Sequence, residues 1–371
     1  MRPLKSKCWV DNIVGPYSAS QEANLKTYRV GIIGLGRMGS TMDHEVAGSP
    51  SFALPFSIAA TARASDRLEL ACGADLLPQK LTAFQERWGV EALYSDYAEM
   101  IEQEKPDLVA VCTRGETHAE IGVAVAEMGA PMMYMEKAMA CSMKEADALR
   151  EACLKHKTVF NTGVLRRFDD RYWWARKLIA RGEIGQPQAA VAYPPSSLLH
   201  GHIHTVDTLM YFLGDPQALS VRGELRPPDT KIENNRLDHD PNAVLEIEFE
   251  GGVEAFCISA GRWDFEVFAS EGSLGAGNNG IDWSWKKPVQ DADKWTAFRE
   301  VPYPQVGYRS ATLNCLEDLV EAYETGRKSL NHVEQAHHST EICLAVAESH
   351  RQGNKRVKLP LENRELYVWH V

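Results

Sequence analysis

The sequence is poor in the features that mark secreted, membrane-spanning or nucleic-acid-binding chains. Its eight cysteines among 371 residues are scattered, with no C-x-x-C pair and no zinc-like spacing. They read as buried reduced thiols, which argues against a disulfide scaffold and favours a cytoplasmic compartment. No apolar run reaches the length of a membrane span, and the opening stretch MRPLKSKCWVDNIVGPYSAS lacks the apolar core of a secretory signal. Positive charge is in deficit: 40 Lys and Arg against 51 Asp and Glu give a formal charge of −11. That balance argues against nucleic acid or an anionic membrane as the main partner, while leaving room for a local basic pocket. Internal repeats and low-complexity tracts are absent. What is there is an ordinary globular composition, 44% hydrophobic and 25% charged, in a chain long enough for two domains with cores of their own.

The chain is organised around residues 28–39, YRVGIIGLGRMG. A short apolar run from Val30 to Ile33 leads directly into Gly34-Leu35-Gly36-Arg37-Met38-Gly39. This is a strand feeding a G-x-G-x-x-G turn, the pattern of a dinucleotide site. Gly34 allows the tight turn, Gly36 removes a Cβ from the path of a pyrophosphate, and Gly39 lets the following helix pack closely. A helix N-terminus then offers free N–H groups to the phosphates.

Residues 1–27 form an irregular arm, either disordered or laid over a neighbouring subunit. After the glycine turn, Gly48-Ser49-Pro50 and Pro55 interrupt any helix. A helix is expected over 58–64 and a buried strand over 68–74, ending at Asp75. An acid in that position suits the adenosine ribose hydroxyls. The spacing from the glycine turn exceeds the usual ~20 residues, so an insertion is assigned around 49–57. Alternation continues, with helices at 77–88, 97–103, 119–128 and 143–156 and strands at 94–96, 107–112, 131–135 and 158–162. Such alternation means a doubly wound parallel sheet, whose ligands sit beyond the carboxyl ends of the strands. Gly34 to Gly39, Asp75, Thr113-Arg114-Gly115, His118 and Glu136-Lys137 all fall there.

The pattern changes after Gly163. Helices at 171–181 and 205–213 are interspersed with strand-like runs at 188–193, 219–224, 243–249, 253–259 and 265–269. Two long helices, 311–325 and 333–350, close the chain. Tight turns between alternating runs, such as Glu250-Gly251-Gly252, indicate an antiparallel sheet. The expected fold is therefore α/β. A Rossmann domain spans 28–163, and an α+β domain over 164–371 carries a large, open, mostly antiparallel sheet with one face left for a partner.

Several stretches together give the chain a family likeness: GIIGLGRMG, ERWGVEALYSDYAEMI, CTRGETHAEI, MEKAMACSMKEADAL, VLRRFDDRY, ARGEIG, HTVDTLMYFLGDP, SEGSL and ESHRQGNKRVKLP. From Tyr28 to Pro360 the sequence resembles the glucose-fructose oxidoreductase / inositol dehydrogenase (Gfo/Idh/MocA) family of NAD(P)-dependent enzymes. The resemblance implies hydride transfer between nicotinamide and a secondary alcohol of a sugar, glycoside or polyol, in a homo-oligomer (dimer or tetramer) built through the C-terminal sheet.

Carried over by position, Glu136-Lys137-Ala138 falls on the family's Glu-Lys-Pro, with alanine replacing proline and the turn less fixed for it. Lys137 then stabilises developing alkoxide charge beside the nicotinamide. His204 falls on the family histidine and is the general base or acid for the hydroxyl proton, while Asp207 orients neighbours. Four residues earlier the family often has aspartate; here it is His200, within His200-Gly201-His202-Ile203-His204. The imidazole can accept a hydrogen bond but supplies no fixed negative charge. The three alternating histidines also raise a metal site, but no cysteine or carboxylate nearby in sequence completes one, and no metal is assigned. Thr113, Arg114 and His118 stand where the family reads Thr-Pro-Asn-x-x-His; His118 is read as a cofactor contact, with helix capping the alternative. Of the paired Arg166 and Arg167, one reaches substrate and the other is structural. Tyr193, Arg262 and Trp263 are candidates for a sugar-binding wall; Trp173 and Trp174 are read as packing. The cofactor is NAD on the strength of Asp75, with NADP the alternative that Arg37 raises. Two rival readings keep the fold: a glycoside-processing enzyme with tightly held NAD working through a keto-sugar, and a non-catalytic sugar sensor.

Overall fold

The computed structural model describes residues 26–290, 296–307 and 309–370; nearly all of the expected N-terminal arm lies outside them. Six parallel strands form the first sheet: β1 (Tyr28–Ile33), β2 (Leu68–Ala74), β3 (Ala92–Tyr94), β4 (Leu108–Val111), β5 (Met132–Met135) and β6 (Val159–Thr162), in the order β3-β2-β1-β4-β5-β6. The order reverses at β1, where ligands bind in sheets of this kind. The central strands β4 and β5 read as unbroken apolar runs because both faces are covered. Leu108, Ala110, Met132 and Tyr134 point into one core, and Val109, Val111, Met133 and Met135 into the other.

The first helices are α1 (Asp43–Val46), α2 (Ile58–Ala64), α3 (Pro78–Trp88), α4 (Tyr97–Glu104), α5 (Gly115–Glu127) and α6 (Met143–His156). Helix α6 starts where Ser142 and Glu145 cap each other's backbone N–H groups. The glycine turn does not open a long helix. Arg37–Thr41 forms a five-residue π-helical turn and α1 lasts one turn. The chain then loops out as the insertion expected around 49–57 before α2. The Asp43 carboxylate holds this loop by accepting from the N–H groups of Phe56 (2.7 Å) and Ser57 (3.1 Å).

Beyond β6 come α7 (Asp170–Ala180) and β7 (Pro187–Tyr193), then α8 (Ile203–Leu213) entered through a second π-helical turn, Leu198–His202. The second sheet has nine strands. With β7 they are β8 (Ala218–Arg226), β10 (Asn242–Phe249), β11 (Glu254–Cys257), β12 (Asp264–Ala269), β13 (Gly272–Gly277), β14 (Asp282–Gln290), β15 (Thr296–Val301) and β16 (Val357–Lys358). Their order is β15-β14-β13-β12-β7-β11-β10-β8-β16, antiparallel except where β11 pairs with β7. Strand β9 (Arg236–Leu237) pairs separately with β17 (Tyr367–Val368).

Helix α10 (Val333–Arg351) lies on β8 and touches α6 and α8, so it lines the seam between the sheets. Helix α9 (Ala311–Thr325), though late in sequence, packs on β5 and β6 of the first sheet. The last residues also cross back: Val368 N–H donates to Cys141 O and Trp369 N–H to Leu237 O, both at 2.9 Å. The division at 163/164 therefore stands as our proposal for two units whose helices interlock. Seven cysteines among the described residues are free thiols.

Candidate active site

The carboxyl ends of β1, β2, β4 and β5 bring Gly34, Asp75, Thr113 and Glu136 to one edge of the first sheet. Gly34 has φ +90°, and a Cβ there would stand 2.7 Å from Cys112 O. At Gly39 a Cβ would come within 2.1 Å of Gly34 O. Gly36 is different: nothing lies within 4 Å of its Cβ position. The turn is thus tight at its ends and open over its middle, the shape that admits a pyrophosphate. Asp75 buttresses the same turn, its Oδ2 accepting from Leu35 N–H (2.8 Å) and its Oδ1 from Leu77 N–H (3.0 Å). Arg37 is held fork-on by Glu45, with 2.7 and 2.6 Å bonds. Arg114 is exposed at the N-cap of α5.

Below this edge a cavity of about 320 Å³ opens between the two sheets, lined in part by Arg37, Met38, Glu136, Lys137, Arg166, His200, His204 and Trp263. Lys137 and the histidine pair come from different sheets' connections and share this space. Lys137 Nζ donates to His200 O and lies within hydrogen-bond reach of His200 Nδ1, both at 3.2 Å. Desolvation lowers the Lys137 pKa, opposed by the Glu136 and Asp240 carboxylates. Two of its three N–H groups are spoken for, leaving one for a ligand. His200 is lowered too, first by desolvation and then by the Lys137 ammonium, so it is a neutral acceptor.

His204 sits in the cavity wall, edge-on to Trp263 at 6.1 Å. Burial and the Lys137 cation hold its pKa well below the usual histidine value, and its ring nitrogens bond no side chain or backbone group among the described residues. It is a free neutral base. The alternating spelling of the three histidines belongs to a helical segment, so His200 and His204 share a face while His202 turns into the core, fully buried, with burial pushing its pKa to about 4. No cluster of three or more metal-ligating side chains occurs among the described residues.

Several expectations are corrected or sharpened. His118 neither caps α5, which starts at Gly115, nor faces open space: it is buried, with Nδ1 2.7 Å from Ala138 O and Nε2 3.2 Å from Thr113 O. The ring lies between the two cofactor-edge loops, and desolvation lowers its pKa to about 4, so it is neutral, with one N–H to donate. The turn after Lys137 lacks proline but is not loose, because His118 holds Ala138 O and His370 Nε2 donates to Lys137 O at 3.1 Å. Tyr193 stands outside the cavity lining; the backbone there matters instead, Tyr193 O accepting the Trp263 N–H (3.1 Å) that aims the indole inward. Arg262 is exposed and also outside it. The two arginines of the pair lie in different surroundings. Arg167 is buried between Asp207 (2.7 Å) and Asp215 (2.6 Å). Arg166 reaches the cavity, bonding Asn279 Oδ1 (2.6 Å) with its guanidinium over Trp263. Sequence reasoning missed the apolar wall that the insertion provides through Phe52 and Phe56. It also missed Asp240 and His370, both in segments that read as ordinary turn and tail.

Residues 28–164 match the oxidoreductase family with an NAD-binding Rossmann fold. The match, to the model named GFO_IDH_MocA, covers the N-terminal part of the chain. Among its relatives, scyllo-inositol 2-dehydrogenase (NAD(+)) of Bacillus subtilis is 26% identical over 345 residues, 88% of this chain and 94% of that one. Myo-inositol 2-dehydrogenase of Thermotoga maritima is 26% identical over 271 residues, 67% and 75% of the two chains. A solved inositol dehydrogenase homolog from Azotobacter vinelandii, complexed with NADH and myo-inositol, superposes with a TM-score of 0.71 at 18% identity, covering 90% of this chain and 98% of that one.

Proposed function

We propose that this protein is an NAD-dependent dehydrogenase acting on a secondary alcohol of a sugar or polyol. The observation that carries the reading is the convergence of an ammonium (Lys137) and an unpartnered neutral imidazole (His204) on one cavity beneath the glycine turn. The turn, with Asp75, Thr113 and Glu136, would hold NAD, which supplies the hydride acceptor. NAD rather than NADP is favoured because Glu45 already neutralises Arg37 and the Asp75 carboxylate lies at the end of β2.

His204 takes the hydroxyl proton as the alcohol is oxidised. Lys137 donates its remaining N–H to the oxygen and stabilises the negative charge developing there. His200 fixes the ammonium in place as an acceptor. Trp263 offers a face on which a ring can stack, Arg166 donates to ring hydroxyls, and Phe52 and Phe56 exclude water from one side. The functions of the two relatives support the substrate class. Exposed Leu219 and Phe268 on the second sheet support assembly of copies through that sheet, and the free thiols support a cytoplasmic location.

The test is a panel of inositols, aldoses and anhydrosugars with NAD, following formation of NADH. Turnover of at least one class is expected. Cleavage of a glycoside without net NADH would replace the reading by keto-sugar elimination, and binding without any turnover would replace it by sensing.

A further inference from the structure

Two side chains outside every motif considered above meet behind the candidate catalytic lysine. His370 is fully buried although it lies at the end of the described chain. Its Nε2 donates to the Lys137 carbonyl at 3.1 Å, its Nδ1 faces Asp240 Oδ2 at 3.7 Å, and its ring lies 5.6 Å from that of His200. Asp240, in the loop before β10, is 8% exposed. It accepts from three donors in the segment that carries the cavity histidines: Ser197 Oγ (2.9 Å), Leu199 N–H (2.8 Å) and His200 N–H (2.7 Å). The start of α5 has a seat for the ring: a Cβ at Gly115 would stand 2.2 Å from His370 Cδ2. The tail is also anchored on both sides, by Cys141 and Leu237 as above and by Trp369 Nε1 donating to Glu116 Oε2 at 2.7 Å.

The arrangement is mechanical and electrostatic at once. His370 grips the backbone of Lys137, Asp240 grips the backbone of His200, and the two gripping groups face each other. They connect the parts of the site that come from different sheets. The Asp240 carboxylate also favours the charged form of Lys137, against the desolvation that lowers it, although position 200 itself has no carboxylate. Burial works against that charge, but His370 and the two backbone N–H groups hold the carboxyl below its usual range.

We propose that Asp240 and His370 are a positioning pair that sets the separation of Lys137 from His200 and His204 and supplies the negative charge missing at position 200. This rests on the dehydrogenase reading above. A misplacement of about 1 Å in such a site costs on the order of a hundredfold in rate, so loss of either member should be visible in kcat.

The experiment compares His370→Ala, His370→Gln and Asp240→Asn, singly and with Asp240→Asn and His370→Ala combined. Trp369→Phe serves as a control that loosens the tail without touching the pair. Expected are a fall in kcat of about tenfold or more in His370→Ala and Asp240→Asn, and partial recovery in His370→Gln, whose amide can still reach Lys137 O. NADH affinity should stay within about twofold, and the combined variant should be no slower than the worse single one, since the pair acts as a unit. Trp369→Phe should keep its kcat. Full kcat in His370→Ala, or an equal kcat loss in Trp369→Phe accompanied by a lowered Tm, would overturn the proposal. If His370→Ala does not fold, amide exchange of folded His370→Gln decides: faster exchange over residues 136–139 and 197–204 is expected, and unchanged exchange overturns it. Lys137→Met separates the two levels. If Lys137→Met loses about 10²–10³ in kcat while His370→Ala and Asp240→Asn keep the native kcat, the pair alone is rejected; full turnover in Lys137→Met rejects the dehydrogenase reading itself.

Discussion

Replacing Lys137 by methionine removes one charge from the cavity and little else. The side chain keeps its length and apolar stem, and its neighbours His200 O and Nδ1 face an open space where water can replace the lost donors. In the native site two N–H groups are fixed by His200 and one is left to meet the substrate oxygen. An ammonium about 3 Å from a full alkoxide charge is worth roughly 5 kcal/mol at an effective dielectric near 20. Only the part that grows between alcohol and transition state accelerates the reaction. Removal of one donor of this kind typically costs about 2.7–4 kcal/mol, or 10²–10³ in kcat. We expect Lys137→Met to lose that factor in kcat with alcohol and NAD, while NADH binding, followed by fluorescence, and Tm change little. Stability is nearly unaffected because the desolvation cost of the ammonium disappears along with its bonds. A kcat within about fivefold of native would refute the reasoning, since it would leave the charge with nothing to stabilise.

Other consequences follow from the same geometry. His118 and His202 are both buried with pKa pushed to about 4, against about 6.5 in the unfolded chain. The unfolded state therefore binds more protons below pH 6.5, so stability is full above that value and falls as pH drops toward 4. Between pH 7 and 5 each contributes a loss of about 2 kcal/mol, to which the lowered His200 and His204 add losses of the same sign; denaturant melts should show His202→Phe reducing the acid loss by about 2 kcal/mol, and an unchanged loss contradicts the assignment. Gly36→Val fills the open middle of the glycine turn and should weaken NADH binding by about 10- to 100-fold, with Tm little changed. Glu45→Ala releases Arg37 and should improve NADP use relative to NAD, read as the ratio of kcat/KM values; an unchanged ratio means that Arg37 does not face the ribose.

Much of the fold was legible because buried parallel strands are continuous apolar runs. Residues 68–74 and helix 143–156 fall where the pattern places them, the latter fixed by its Ser142 cap. Strands β13 to β15 were not legible. Gly272, Gly275 and Gly277 make β13 read as a loop, and β14 and β15 pair at the sheet edge without an apolar run to mark them. The site was half legible for a related reason. Gly34, Lys137 and His204 sit in local patterns whose spacing carries meaning. Asp240 and His370 are joined to the site only by tertiary contacts, 40 residues from Asp240 to His200 and 233 from His370 to Lys137, and an aspartate in a polar turn carries no local sign of its partners. The burial of His118 between two carbonyls was not legible, because the sequence cannot tell a ring facing a ligand from one held inside. The insertion at 49–57 was visible as an excess of residues, but its role as the apolar wall depends on where Asp43, Arg171 and Ser310 tie it down.

The central claim is that a carbon-bound hydrogen of an alcohol held between Lys137 and His204 passes directly to nicotinamide. Supplying a substrate found in the polyol panel, deuterated at its carbinol carbon, and analysing the NADH by mass spectrometry tests this most directly. The account predicts one deuterium per NADH formed and a slowed single turnover with the labelled alcohol; NADH free of label would contradict it.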